Sequence, residues 1–282
     1  MKPASRTVRA PASKKRLCQG SSLPITDTLS CVLARRACQL CVFVPAGFHT
    51  ATAERRRLDA LARAGADLFE IGLAHDDAIL DGPVIQSAYR RALRRGHVLD
   101  RALRTVEHAA GLRPTVLMTY WDPVARHGPE RLAHRFADAG AAGIMIVDLP
   151  DDAAGTWLHT AAAAGLTAPR LAPRTATDQE LDTIQRTASG WLYAPASSAP
   201  TGYRGPLDLA ALDAAVQRVR ATGPLPIVAG IGISTPALAA SVAPLVDAVA
   251  IGAPVVRALQ QGRDAATATV AAFADALRVP QQ

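Results

Sequence analysis

Residues 66–83, "ADLFEIGLAHDDAILDGP", decide how the chain is read. The run "LFEIG" (68–72) has strand length and is apolar but for one carboxylate, Glu70. A loop with three more acids and a histidine follows, closing on Asp81-Gly82-Pro83. Alternation along a strand sends the Glu70 side chain opposite to those of Phe69 and Ile71. In a sheet covered on both faces, that carboxylate is buried either way. Burial costs free energy unless the group is paired or protonated, and it lifts the pKa towards values useful for proton transfer. The plainer alternative is a structural Glu meeting an arginine at the rim of the sheet.

Seven further apolar runs flank this one: "CVFVP" (41–45), "PTVLM" (114–118), "GIMIV" (143–147), "PRLA" (169–172), "GWLYA" (190–194), "LPIVA" (225–229) and "VDAVAIG" (246–252). Alanine-rich segments of helical period, such as "ATAERRRLDALARAG", separate them. Strands alternating with helices imply right-handed βαβ units and a parallel sheet. Eight such units predict an α/β fold of the (β/α)8 TIM-barrel type, a single domain over residues 23–282. An open doubly wound sheet is disfavoured, because no "GxGxxG" follows the first run. The segment "PITDTLSCVLARR" (24–36) reads as a short helix that plugs the barrel bottom. Chemistry in such barrels sits at the C-terminal strand ends. Glu70 lies in the second strand, Asp81 in the loop after it, and Asp148 at the end of the fourth.

The formal net charge of +7 misleads, since the first 22 residues carry six basic side chains and no acid, leaving +1 for the rest. Residues 1–22 read as a disordered basic tail. An acid-free start with Arg and Ser also suits a transit peptide, but Pro3 and Pro11 argue against the amphipathic helix that one needs. The near-neutral remainder predicts no nucleic-acid partner, and no apolar run is long enough to span a membrane. Cys18, Cys31, Cys38 and Cys41 all lie near the start, and a lone C-x-x-C at 38–41 is a weak metal or redox signal. Cys41 opens a strand and reads as core, so a reduced, cytoplasmic chain is expected. The only lysines are Lys2, Lys14 and Lys15. The folded part has none, which excludes Schiff-base catalysis. Carboxylate acid–base chemistry or a metal remains. His75, Asp76, Asp77 and Asp81 offer hard-cation ligands, but a His-Asp-Asp run in an exposed loop is usually solvated, and no metal is expected.

Loops after the seventh and eighth runs, "GIGIS" (230–234) and "IGAP" (251–254), are glycine-rich and open helices, and "SSAPTGYRG" (197–205) adds Gly202 beside them. Barrels bind phosphate there, through backbone N–H groups and helix N-termini.

These residues resemble the tryptophan synthase α-subunit family over about residues 26–262. The family's "LELGVPFSDPLADGP" corresponds to "FEIGLAHDDAILDGPVIQ" (69–86), with the two carboxylates eleven positions apart and no gap. "VLMTYWDPVARHG" (116–128), "GIMIVDLPDD" (143–152), "LAPRTATD" (171–178) and "GIGIS" follow collinearly. The resemblance implies cofactor-free retro-aldol cleavage of indole-3-glycerol phosphate, a phosphorylated indole substrate and a tryptophan synthase β-subunit partner. It implies Glu70 as general acid–base and Asp81 as the partner of the indole N–H. Phe43, Tyr120, Asp148, Tyr193, Thr201 and Ile231 would border the substrate; Gly202, Gly232, Gly252 and Ala253 would hold the phosphate. Departures fall at Ala74-His75-Asp76-Asp77 for Pro-Phe-Ser-Asp, at Ile231 for an aromatic, at Ala253 for a serine, and at 199–202, where "APTG" replaces "GVTG". The first of these, with the stiffening Pro200 of the last, predicts weaker coupling to a β subunit, so a stand-alone indole-forming role is expected beside the ordinary subunit role. A non-catalytic paralogue that regulates such a partner is the competing expectation, with a metal-dependent lyase on another phosphorylated substrate behind it.

Overall fold

A computed structural model describes residues 25–35, 37–198 and 202–278 of the protein. The tail expected over residues 1–22 and Cys18 lie outside the described residues. Helix α1 (Ile25–Leu33) leads into β1 (Gln39–Pro45), α2 (Ala51–Arg63) and β2 (Leu68–Gly72). Helices α3 (Pro83–Arg94) and α4 (Val98–Ala110) precede β3 (Thr115–Thr119), and α5 (Trp121–His127) and α6 (Pro129–Asp138) precede β4 (Gly143–Ile146). Then come α7 (Asp151–Ala163), β5 (Arg170–Leu171), α8 (Asp178–Arg186), β6 (Leu192–Pro195), α9 (Leu209–Thr222) and β7 (Ile227–Gly230). Helix α10 (Pro236–Val242) with a 3-10 turn, β8 (Ala248–Ile251), α11 (Ala253–Gln261) and α12 (Arg263–Arg278) complete the fold. Proline in the first turn pre-sets φ at the entries of α3, α6, α10 and α11. Thr177 and Glu180 form a reciprocal capping box at α8.

All pairings are parallel, in the order β4-β3-β2-β1-β8-β7-β6-β5. The expected (β/α)8 barrel is what forms. Burial is divided in two. Outward strand residues such as Val42, Phe69, Ile71 and Leu117 pack under the helices. Inward residues Cys41, Leu68, Val116, Met145 and Val228 fill the lower interior together with Trp191. Leu29, Val32 and Leu33 of α1 join that inner cluster, so α1 is the expected plug. Cys41 is fully buried, and Cys38 is, like it, a free thiol.

The ring closes imperfectly. Strand β5 has two residues, and β4 meets the segment before it through one bridge, Gly143 to Thr167. Ile144 N–H donates to Thr167 O at 3.0 Å and Thr167 N–H to Ala142 O at 3.0 Å. Above the bridge, Arg170 Nη2 meets Asp151 Oδ1 at 2.8 Å across the seam.

Gly143 permits this approach, because a Cβ there would strike Thr167 Oγ1 and come within 2.8 Å of the Thr167 carbonyl oxygen. Gly143→Ala is therefore expected to destabilise the fold by about 1–3 kcal/mol, the usual range for overpacking. Urea denaturation checks it; an unchanged midpoint would mean that the seam is loose.

Candidate active site

The pocket lies at the C-terminal strand ends, walled by Phe43 of β1, Glu70 of β2, Met118 and Tyr120 at β3, Met145 and Val147 at β4, Leu171 of β5, Tyr193 of β6, Ile231 after β7, and Ala250 and Gly252 at β8. Leu80, Asp81 and Ile85 close one side. It encloses about 610 Å³, counting its open mouth, within the usual range for small-ligand sites. Strand parity explains the lining. Register places Phe43, Glu70 and Val116 side by side, and every second residue of these strands faces in.

Two glycines make room for aromatic walls. A Cβ on Gly72 would lie 2.5 Å from Tyr89 Oη and 2.6 Å from Phe43 Cζ, and one on Gly230 would strike Tyr193 Oη. Ile231, the next residue, holds φ +58, a strained setting for a β-branched side chain.

Two carboxylates interrupt the apolar lining. Glu70 is 2% exposed, and its Oε1 has no hydrogen-bond partner within the protein. Burial, and then the neighbouring Asp81 charge, push its pKa up to about 7. Asp81 is nearly as buried, and burial pushes its pKa up to about 6 against a lowering hydrogen bond from Tyr120. That bond runs from Tyr120 Oη to Asp81 Oδ2 at 2.9 Å. Gln86 of α3 fixes the loop by donating to the carbonyls of Ala78 at 3.1 Å and Asp81 at 2.9 Å. A pair of carboxyls with displaced, unequal titration in a cleft is how acid and base roles are divided at neutral pH.

The glycine loops converge beside the pocket. A Cβ on Gly202 would sit 3.7 Å from Ala253 Cβ, at the first turn of α11. Gly232, at φ +97, abuts Ser197 of the sixth loop, where a Cβ would come to 2.8 Å. Gly252 caps α11 and lines the pocket. Among the described residues, no group of three or more His, Cys, Asp or Glu is placed to hold a metal.

A family model described as "Tryptophan synthase alpha chain" matches residues 29–280. The chain belongs to the tryptophan synthase alpha chain family. The Streptomyces avermitilis tryptophan synthase alpha chain is 37% identical over 244 residues, covering 86% of this chain and 88% of that one. Its Nocardia farcinica counterpart is 33% identical over 256 residues, covering 90% and 96%. Among solved structures, tryptophan synthase from M. tuberculosis in an aminoacrylate-bound form superposes with TM-score 0.81 at 29% identity, covering 89% of this chain and 99% of that one. Tryptophan synthase subunit alpha from Legionella pneumophila gives TM-score 0.81 at 29%, covering 91% and 99%.

In this alpha-chain framework, the expected substrate-contact residues Phe43, Tyr120, Tyr193 and Ile231 all line the pocket. Asp148 does not. Strand β4 ends at Ile146, and Asp148 is exposed, its Oδ1 accepting the Trp121 N–H at 2.7 Å where α5 begins. Thr201 lies outside the described residues. Sequence reading missed Tyr89, whose buried hydroxyl has no partner behind Gly72, and the apolar wall of Met118, Met145 and Leu171. Inward parity at the strand tops was the available signal for that wall. His75, read as part of a solvated acidic run, is instead 9% exposed.

Removing the Asp81 charge by Asp81→Asn should lower the Glu70 pKa from about 7 while burial keeps it above the ordinary carboxylate range. Carbon-13 NMR titration of the Glu70 carboxyl checks this; an unmoved value would mean that the two groups are not coupled.

Proposed function

We propose that the chain cleaves indole-3-glycerol phosphate to indole and glyceraldehyde 3-phosphate, with Glu70 as the general acid–base and Asp81 on the indole N–H. The observation that carries this reading is the pair of buried carboxylates inside an aromatic-walled pocket, Glu70 without a partner in the protein and Asp81 held by Tyr120, both raised by burial. Protonated Glu70 gives its proton to indole C3, and the ring becomes an iminium whose N–H is stabilised by ionised Asp81. The Glu70 carboxylate then takes the proton of the side-chain hydroxyl next to the ring. The carbon–carbon bond breaks, its electrons neutralise the iminium, and an aldehyde and indole leave. Protons balance, and Glu70 ends as it began.

Phe43, Tyr193 and Ile231 would hold the indole, and the backbone N–H groups of Gly202, Gly232, Gly252 and Ala253 the phosphate. Ala253 in place of a serine gives up one hydroxyl contact, about 1 kcal/mol. No helix among the described residues is long and apolar enough to cross a membrane. We place the activity in the cytoplasm, a reducing setting that suits the free thiols of Cys38 and Cys41.

Purified protein should release indole from indole-3-glycerol phosphate. Glu70→Gln should lower the rate by about 10²–10⁴-fold, the usual contribution of a positioned acid–base group. Near-normal turnover in that variant, correctly folded, would return Glu70 to a structural role. A chelator such as EDTA should leave the rate unchanged.

A tryptophan synthase β subunit is the proposed partner. Ile79 (72% exposed) and Leu80 (44% exposed) stand at the pocket mouth on the loop after β2, an apolar pair that a partner would cover. Ala74 and His75 give that loop a small and a polar residue where the family has proline and an aromatic. Stimulation of the lyase rate by a cognate β subunit is therefore expected to be modest. A very large stimulation of a nearly inactive isolated chain would overturn that expectation.

A further inference from the structure

Tyr120 supplies the one side-chain hydrogen bond made to the Asp81 carboxylate among the described residues. What holds Tyr120 therefore governs Asp81. The loop after β2 grips it at two points. At its far end, the Leu80 N–H donates to the Tyr120 hydroxyl. At its near end, the His75 ring packs on the Tyr120 ring, with centroids 5.3 Å apart and planes inclined by 37°. The His75 ring is buried, and its Nδ1 lies 3.2 Å from Asp76 Oδ1 and 4.0 Å from Asp122 Oδ2. His75 does not line the pocket, so it does not touch substrate.

We infer that His75 is a positioning residue for Asp81: its buried ring, packed on Tyr120, holds that side chain in the orientation that keeps the phenol on Asp81. This deepens the proposed lyase reading and rests on it for its catalytic consequence. Asp81 is faced by Glu70 of β2, Tyr120 at the end of β3, Tyr89 of α3 and Tyr193 of β6. Of these, only the Tyr120 bond draws its titration down against burial. Without that bond Asp81 would titrate higher, and the division between an ionised and a protonated carboxyl would narrow.

The test is the acidic limb of kcat/KM, read with carbon-13 NMR titration of the Asp81 carboxyl. In His75→Ala both should move up by about one pH unit, the size expected for losing one hydrogen bond to a charged group. The loss should fall mainly on kcat, with KM changed less than about twofold. Tyr120→Phe should produce the same displacement, and adding His75→Ala to it should add nothing, since the two act as one unit. His75→Phe, which keeps a ring against Tyr120 but carries no proton, should restore most of the wild-type profile. An unmoved Asp81 titration in His75→Ala, full additivity with Tyr120→Phe, or no rescue by His75→Phe would each overturn the inference. Should His75→Ala not fold, His75→Gln carries the same test, since it keeps a polar group near Asp76 and loses the ring. If the wild-type protein releases no indole while His75→Ala still displaces the Asp81 titration, the lyase reading fails and the positioning role stands.

Discussion

Burial of two carboxylates in one largely apolar pocket governs the chemistry of this chain. Glu70 and Asp81 both titrate two or more pH units above their ordinary values, which at 1.36 kcal/mol per unit amounts to roughly 3 kcal/mol each. The sign follows from linkage. A carboxyl with a raised folded pKa binds its proton more tightly in the native state, so the penalty is absent below about pH 4. It is fully present once both groups have ionised, above about pH 7. A fold with only a few kcal/mol to spare sustains this for a reason beyond stability. The Tyr120 phenol draws Asp81 down, while the Asp81 charge adds to the rise of Glu70.

The rest of the barrel keeps that pair dry and in place. Helix α1 packs Leu29, Val32 and Leu33 into the lower interior, and the pocket that holds the carboxylates opens at the C-terminal strand ends. Gly72 and Gly230 leave the space into which Phe43, Tyr89 and Tyr193 lean. The aromatic wall thus depends on missing side chains as much as on those present. Ile231 joins it from a left-handed backbone that glycine would adopt without strain, so its side chain is retained at a conformational cost.

Much of this was legible in the sequence because parallel strands buried on both faces read as continuous apolar runs. Glu70 stood out as the lone charge inside one of them. Boundaries were less legible where side chains decide them. Strand β5 shrinks to Arg170–Leu171 because Pro169 and Pro173 flank it and offer no N–H to a ladder. Asp148 was read as the polar end of a strand aimed at the site, but the chain leaves the pleat after Ile146 and the carboxylate turns to the start of α5. His75 was hidden for a different reason. Its ring packs on that of Tyr120, forty-five positions away, and no local pattern encodes that contact.

The imperfect closure between β4 and β5 also gives the barrel a mechanical character. A fully laddered ring has no preferred place to give way, whereas this one is a ribbon of strands with two ends held by a glycine contact and an ion pair. Local opening breaks the fewest hydrogen bonds there. Val147 and Leu171, which belong to the pocket wall, stand on opposite lips of that gap. The molecule is therefore a spring clip whose jaws include part of the binding cleft. Small excursions at the seam change the width of the cleft on that side, while the Glu70–Asp81–Tyr120 side stays on the continuous sheet from β1 to β3.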